Sequence, residues 1–353
     1  GGEYLPDFYV NNTSPGNTID NAGFNPQLKG DFSGPGGLSF VGVGTTRFIG
    51  NNDYLGPTTV KEGVLRIENQ NATPVGNIQV ESDAILRLWG DGINIKNNAD
   101  VTLEKGAKIG IWGEKVKINT DIKLKDGQSL VYVDESLPRQ QVDGEYIRPQ
   151  FNGVISGAGG LTKIGEGSLT LTGFNTYTGK TRIKLGHLEI SPKGSLAPET
   201  DVEVLNGGYY HVRSDDQIAT LTGDGQVSLE LNSKLSVGNS DKDFIFSGSI
   251  VDGNDSKGTL IKEGQSTMTL TWANNYTGDT LIQKGSLVVS GTGSLSDSTA
   301  VNVSDGASYK VKTSDVIGSI SGDGSIEIDA GQTLLAGDLG LQNTTTEMAG
   351  VMS

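Results

Sequence analysis

Only two histidines, His187 and His211, and no cysteine occur in the 353 residues, so acid–base and nucleophilic chemistry has few carriers. Thiol nucleophiles, disulfides and thiolate metal sites are excluded. A hydroxyl nucleophile would need one of these histidines beside it as base. His187 follows Gly186 at a strand position equivalent to Ser286 and Val64, and His211 in "YYHVR" is equivalent to Lys310 in "SYKVK". Both are therefore expected on the solvated surface. The stretch "DGNDSKGTLIKE", residues 252–263, places Asp252, Asn254, Ser256 and Glu263 at calcium-loop positions 1, 3, 5 and 12. Lys257 stands at the sixth position, where such a loop turns on glycine, so this stretch is expected to be a decorated turn and neither a metal nor a cofactor is expected. Acids that might pair for glycan cleavage lie in turns such as "GDG" at 223 and 322, where local hydrogen bonding and tolerance of positive φ account for them. The expectation is a chain without catalytic residues.

The elements that would position any site are short. Glycine contributes 52 residues and proline 10, hydrophobic residues 34% and aromatics 6%. That much glycine without a collagen period implies many turns, and so little apolar material implies a thin core. Val, Ile, Leu and Thr recur in short alternating runs, the pattern of half-buried strands. A net charge of −15 argues against nucleic acid and anionic membrane surfaces as partners. No window approaches 18 apolar residues, and "GGEYLPDFYV" has no basic or apolar leader pattern. The sequence therefore reads as a mature fragment, with any export signal or anchor outside it.

Self-similarity organises the rest. Leu161, Tyr177, Gly186 and Leu188 are spaced by 16, 9 and 2 residues, as are Leu260, Tyr276, Gly285 and Leu287, and Leu38, Tyr54, Gly63 and Leu65. Asn52, Asn175 and Asn274 each stand two residues before the tyrosine. The second and third copies correspond further at a spacing of 99, as in "LTGDGQVSLEL" at 221 and "ISGDGSIEID" at 320. A smaller strand–turn unit, seen at "IQVESDA", "VTLEKGA" and "IKLKDGQ", recurs about every 20 residues, the length of one solenoid coil. An immunoglobulin-like array is the competing all-β arrangement, but its sandwiches need large core residues where these strands carry Thr, Ser and Gly. The expected fold is all-β, a right-handed parallel β-helix. The recurring tyrosines are expected to be buried and to fix coil registry, with a repeated sugar-binding surface as the alternative.

The stretch "SGAGGLTKIGEGSLTLTGFNTYTGKTRIKLGHLEI" resembles the passenger-associated transport repeat of autotransporter proteins, the type V secretion systems of Gram-negative bacteria. The resemblance is specific at 157–181, eroded at 258–280 where Trp272 replaces glycine, and weaker at 34–58 where Phe40 replaces lysine and Pro57 intrudes. It implies a β-helical passenger carried across the outer membrane by a C-terminal translocator barrel, exposed at the cell surface or released. The implied function is a rigid stalk or adhesin binding a host cell-surface or matrix component, protein or glycan. The alternatives are the noncatalytic β-helical part of a subtilisin-like serine protease autotransporter and, third, a glycan-cleaving β-helix enzyme. "TTTEMAGVMS" is similar to the subtilisin nucleophile segment G-T-S-M-A-x-P, but Glu347 occupies the place of the serine.

Residues 1–30 are expected to be irregular or the tail of a preceding domain, with the passenger over 31–353 and its repeats starting near 32, 151 and 246. Partner contact is expected where the repeat is broken: at Asp252, Asn254 and Asp255 in loop 252–258, and at Arg139, Tyr146 and Arg148 in segment 137–149.

Overall fold

Strands of two to six residues, separated by turns, build the protein, and the described residues contain no α-helix. The computed structural model describes residues 7–11, 17–95, 100–133, 140–142, 145–337 and 347–348. The chain divides into two units, Gly1–Thr181 and Arg182–Ser353.

In the first unit, strands about one coil apart pair in parallel and in register. Leu38–Val41 pairs with Thr58–Val60, which pairs with Ile78–Val80, followed by Val101–Leu103 and Ile122–Leu124. Phe40, Val60, Val80, Leu103 and Leu124 thereby form one buried column. Alternation sends every second side chain inward, so each three-residue strand adds two residues to the core and one to the surface. A second face stacks Thr45–Phe48, Val64–Ile67, Ile85–Trp89, Lys108–Trp112 and Gln128–Val133. The second unit repeats this construction. Gly186–Ile190, Gly208–Val212, Gln226–Leu229 and Ser249–Asp252 form one face, with Leu188, Tyr210, Val227 and Ile250 as a buried column. The parallel β-helix expected from the repeats is the fold observed.

The glycines have a positional explanation at the corners. A Cβ on Gly76 would lie 2.3 Å from the carbonyl oxygen of Gly56, and a Cβ on Gly56 2.4 Å from backbone atoms of Gly36 and Gly37. Successive coils thus turn backbone against backbone, which a side chain would prevent.

Part of the segment expected to be irregular already forms coils. Asn17–Asp20 pairs in parallel with Leu38–Val41, Gln27–Leu28 with Thr45–Phe48, and Phe8–Tyr9 with Phe32–Ser33. These strands bury few side chains, so no alternating pattern marks them. Side-chain amides help hold them instead: Asn25 accepts from the Thr45 amide at 2.8 Å and Asn21 from the Gly44 amide at 3.1 Å.

Candidate functional site

The repeat residues form an internal spine. Tyr54, Tyr177 and Tyr276 are fully buried, and their hydroxyls meet those of Thr58, Thr181 and Thr280 four residues on, the last two pairs at 2.5 and 2.6 Å. Asn175 accepts the Ile155 amide of the preceding coil at 2.9 Å and donates to the Gly173 carbonyl at 3.0 Å. Asn274 does the same with Ile250 and Trp272, at 2.9 and 2.8 Å, and Asn52 with Phe32 and Gly50, at 3.2 and 3.1 Å. The asparagine therefore ties one coil to the next while closing its own turn. The tyrosines offer no surface to a ligand.

A related device was not evident in the sequence. Tyr210 donates to the buried carboxylate of Asp216, which also accepts the Leu196 amide at 3.0 Å. Tyr309, Asp315 and Leu295 repeat the arrangement 99 residues later. That shared spacing was the available signal.

Lys163 and Lys262, the lysines of the repeat, are also buried. Their ammonium groups cap turn carbonyls: Lys163 donates to Gly165 at 2.6 Å and Ile164 at 3.1 Å, Lys262 to Glu263 at 2.5 Å and Gly264 at 2.9 Å. Burial pulls Lys163 down to about 7 from 10.5, and Lys262 to about 8. Between pH 7 and 10 the unfolded chain holds the proton that folded Lys163 has released. Unfolding then takes up a proton, and stability rises with pH. The melting temperature is expected to be higher at pH 9 than at pH 7, with Lys163 contributing on the order of 2 kcal/mol to that rise. Lys163→Met should flatten the profile; an unchanged profile in that variant would mean that the amine stays protonated in the fold.

The two histidines are adjacent in space. His187 Nδ1 lies 2.8 Å from His211 Nε2, and His211 Nδ1 lies 2.8 Å from a Glu230 carboxylate oxygen. Arg213 donates to Glu189 at 2.8 Å and approaches Glu230 at 3.4 Å. His211 is 4% exposed, which corrects its expected solvated placement. The equivalence with Lys310 misled because the neighbours differ: Ser286 stands on the rung where His187 covers His211. The cluster neutralises charges on one sheet face, with Glu189 buried beside Arg213.

The expected contact residues do not behave alike. Asn254 and Asp255 are exposed at the tip of loop 252–258. Asp252 closes that loop, accepting the Gly258 amide at 2.7 Å and the amide and hydroxyl of Thr277 at 2.8 and 2.6 Å. Glu263, the last position of the calcium-like spacing, accepts from the Gln217 side chain at 2.6 Å. Arg139 lies outside the described residues. Tyr146 sits in the strand Glu145–Ile147, which pairs antiparallel with Gln140–Val142, whereas the neighbouring rungs pair in parallel. Arg148 is 3% exposed, a correction to its expected role as a surface contact: two residues before the rung Gln150–Phe151 the chain has already re-entered the solenoid.

Three windows of the chain, 41–67, 161–190 and 260–289, match the family model described as the passenger-associated-transport-repeat. The second and third windows each span four short strands of the parallel solenoid and the first three whole ones, and every window contains the buried tyrosine. The repeats are those of an autotransporter passenger domain. The passenger is 28% identical over 233 residues to the adhesin BmaC autotransporter of Brucella suis biovar 1 (strain 1330). That alignment covers 63% of the passenger and 6% of the adhesin. It is 45% identical over 56 residues to an extracellular serine protease of Serratia marcescens, covering 16% of the passenger and 5% of the protease. The passenger thus corresponds to a small fraction of each relative's length. Its family implies a place at the surface of, or secreted from, a Gram-negative bacterium.

Proposed function

We propose that this passenger segment is a noncatalytic stalk and adhesive surface, exposed at the cell surface or released, that attaches the bacterium to a host-cell or matrix component, protein or glycan. The observation that carries this reading is the similarity to an autotransporter adhesin over 63% of the chain. The fold supports it: the repeat side chains are spent on registry, which leaves the repeat-breaking loops free to vary. A translocator barrel C-terminal to this segment would deliver it. The adhesive residues proposed are Asn254 and Asp255, with Arg139 and Tyr146 of the second break, while Asp252 positions the loop. A second reading, the noncatalytic β-helix of a protease autotransporter, is favoured only by the 56-residue match.

The test is adherence of bacteria displaying the whole chain, or of beads coated with it, to epithelial cells and to matrix proteins. Changing Asn254 and Asp255 to alanine and trimming 137–147, with Asp252 and Arg148 kept, is expected to reduce adherence at least several-fold without lowering the melting temperature. Undiminished adherence would move contact onto the solenoid faces, and no adherence by the parent chain would refute the adhesin reading. Peptide or polysaccharide turnover by the purified chain would refute the noncatalytic one.

A further inference from the structure

A groove of about 370 Å³ lies on the outer face of the second unit, lined by Asn206, Tyr209, Asp224, Gln226, Ser249 and Trp272 with glycines and a serine between them. Its construction follows from the rungs. Tyr209, Gln226 and Ser249 are register partners on three successive strands and form one outward column. Gly225 and Gly248 keep the floor low, and neither can change: a Cβ on Gly248 would lie 1.8 Å from the Gly225 carbonyl oxygen, and one on Gly225 2.4 Å from the Leu205 carbonyl oxygen. Trp272, 56% exposed, rises from the next coil. From the Tyr209 rung to the Trp272 coil is three strand spacings, about 14 Å.

Both aromatic walls depart from the repeat. At the spacing of 99, Tyr209 is equivalent to Ser308 and Trp272 to Gly173, so the solenoid forms at these positions without a ring. Both are nonetheless held. The Tyr209 ring stacks on His187 at 4.6 Å between centroids, and the Trp272 carbonyl is fixed by Asn274 at 2.8 Å. Of the other polar groups, Asp224 is anchored by accepting the Asn206 amide at 2.8 Å, and Gln226 donates to Ser249 at 3.4 Å.

We infer that this groove is a binding site for an uncharged glycan chain. Two rings at the ends of a shallow trough suit the apolar C–H faces of pyranose rings, and amides and a carboxylate between them suit vicinal hydroxyls. The lining holds no lysine, arginine or histidine, and one aspartate, on a chain of net charge −15, which disfavours sulfated or uronic-acid glycans. The inference deepens the adhesive reading, since it gives that reading a ligand class.

The experiment uses the full 353-residue chain, an array of neutral oligosaccharides (cello-, malto-, chito- and galacto-hexaoses) with a hyaluronan hexamer as acidic arm, and saturation-transfer NMR for every array hit. At least one neutral hexaose is expected to bind, and Trp272→Ala and Tyr209→Ser are each expected to weaken it tenfold or more, with melting temperatures near that of the parent. Gln226→Ala, on the trough floor between the two rings, should weaken it several-fold. No binding to any neutral hexaose, stronger binding of hyaluronan, or binding retained by the Trp272→Ala/Tyr209→Ser double variant would overturn the assignment. Adherence of the same double variant separates the two readings. Retained adherence with lost glycan binding leaves the adhesin reading standing on other surfaces. Glycan binding by a parent chain that does not adhere leaves this groove and removes the adhesin.

Discussion

Leu171→Asp is expected to destabilise the chain by about 3–5 kcal/mol, the cost of an uncompensated buried charge. Leu171 is fully buried at the end of the strand Ser168–Leu171, in register with Phe151. A carboxylate there would face core side chains such as Phe151 on the neighbouring rung. Because each coil of a solenoid is held mainly by its neighbours, the damage should stay local at first. Urea denaturation should show a lowered midpoint, and limited proteolysis should cut near residues 150–171 before the rest of the chain. Resistance equal to that of the parent would mean that Leu171 is not a core rung.

Tyr177→Ala should cost a similar amount, about 3–5 kcal/mol, because it removes a fully buried ring whose space the glycine-rich corner around it cannot refill. Tyr177→Phe keeps the ring and loses the hydroxyl's hydrogen bonding, including the 2.5 Å contact with Thr181, at about 1 kcal/mol. The ratio of the two separates packing from hydrogen bonding, and Tyr276→Ala and Tyr276→Phe should reproduce it because the site is the same. Equal losses for the Ala and Phe variants would show that the hydroxyl, not the ring, holds the spine together. Retained stability in both would remove the tyrosine from the registry mechanism.

What the sequence made legible was whatever recurs. The spacing of Leu161, Tyr177, Gly186 and Leu188 was enough to place a coil, because every copy meets the same neighbours. It failed where the partner changes from one copy to the next. His211 is buried by His187 and Glu230, and the corresponding Lys310 instead pairs with Glu327 at 3.1 Å. It failed again at Asn17–Asp20, where main-chain pairing and two asparagines hold the strand without an apolar pattern. Arg148 belonged to a visible interruption, yet the alignment gave no sign of how soon the chain re-enters the solenoid. The groove between Tyr209 and Trp272 was half legible: the replacement of glycine by Trp272 was evident, but not which rungs it would face.

The 99-residue correspondence within the second unit also bears on how such a chain can change in length. Tyr210 with Asp216 and Tyr309 with Asp315 make the same knot on rungs that differ by one whole copy. Unequal recombination between the copies would add or delete a complete set of coils and join each cut strand to a neighbour it already fits. Inward residues would stay inward, since a whole number of turns is exchanged, whereas a one-residue frame error would reverse every face beyond it. Genes of this construction can therefore lengthen or shorten the reach of their product without inventing a new contact, while surface features such as Trp272 diverge copy by copy.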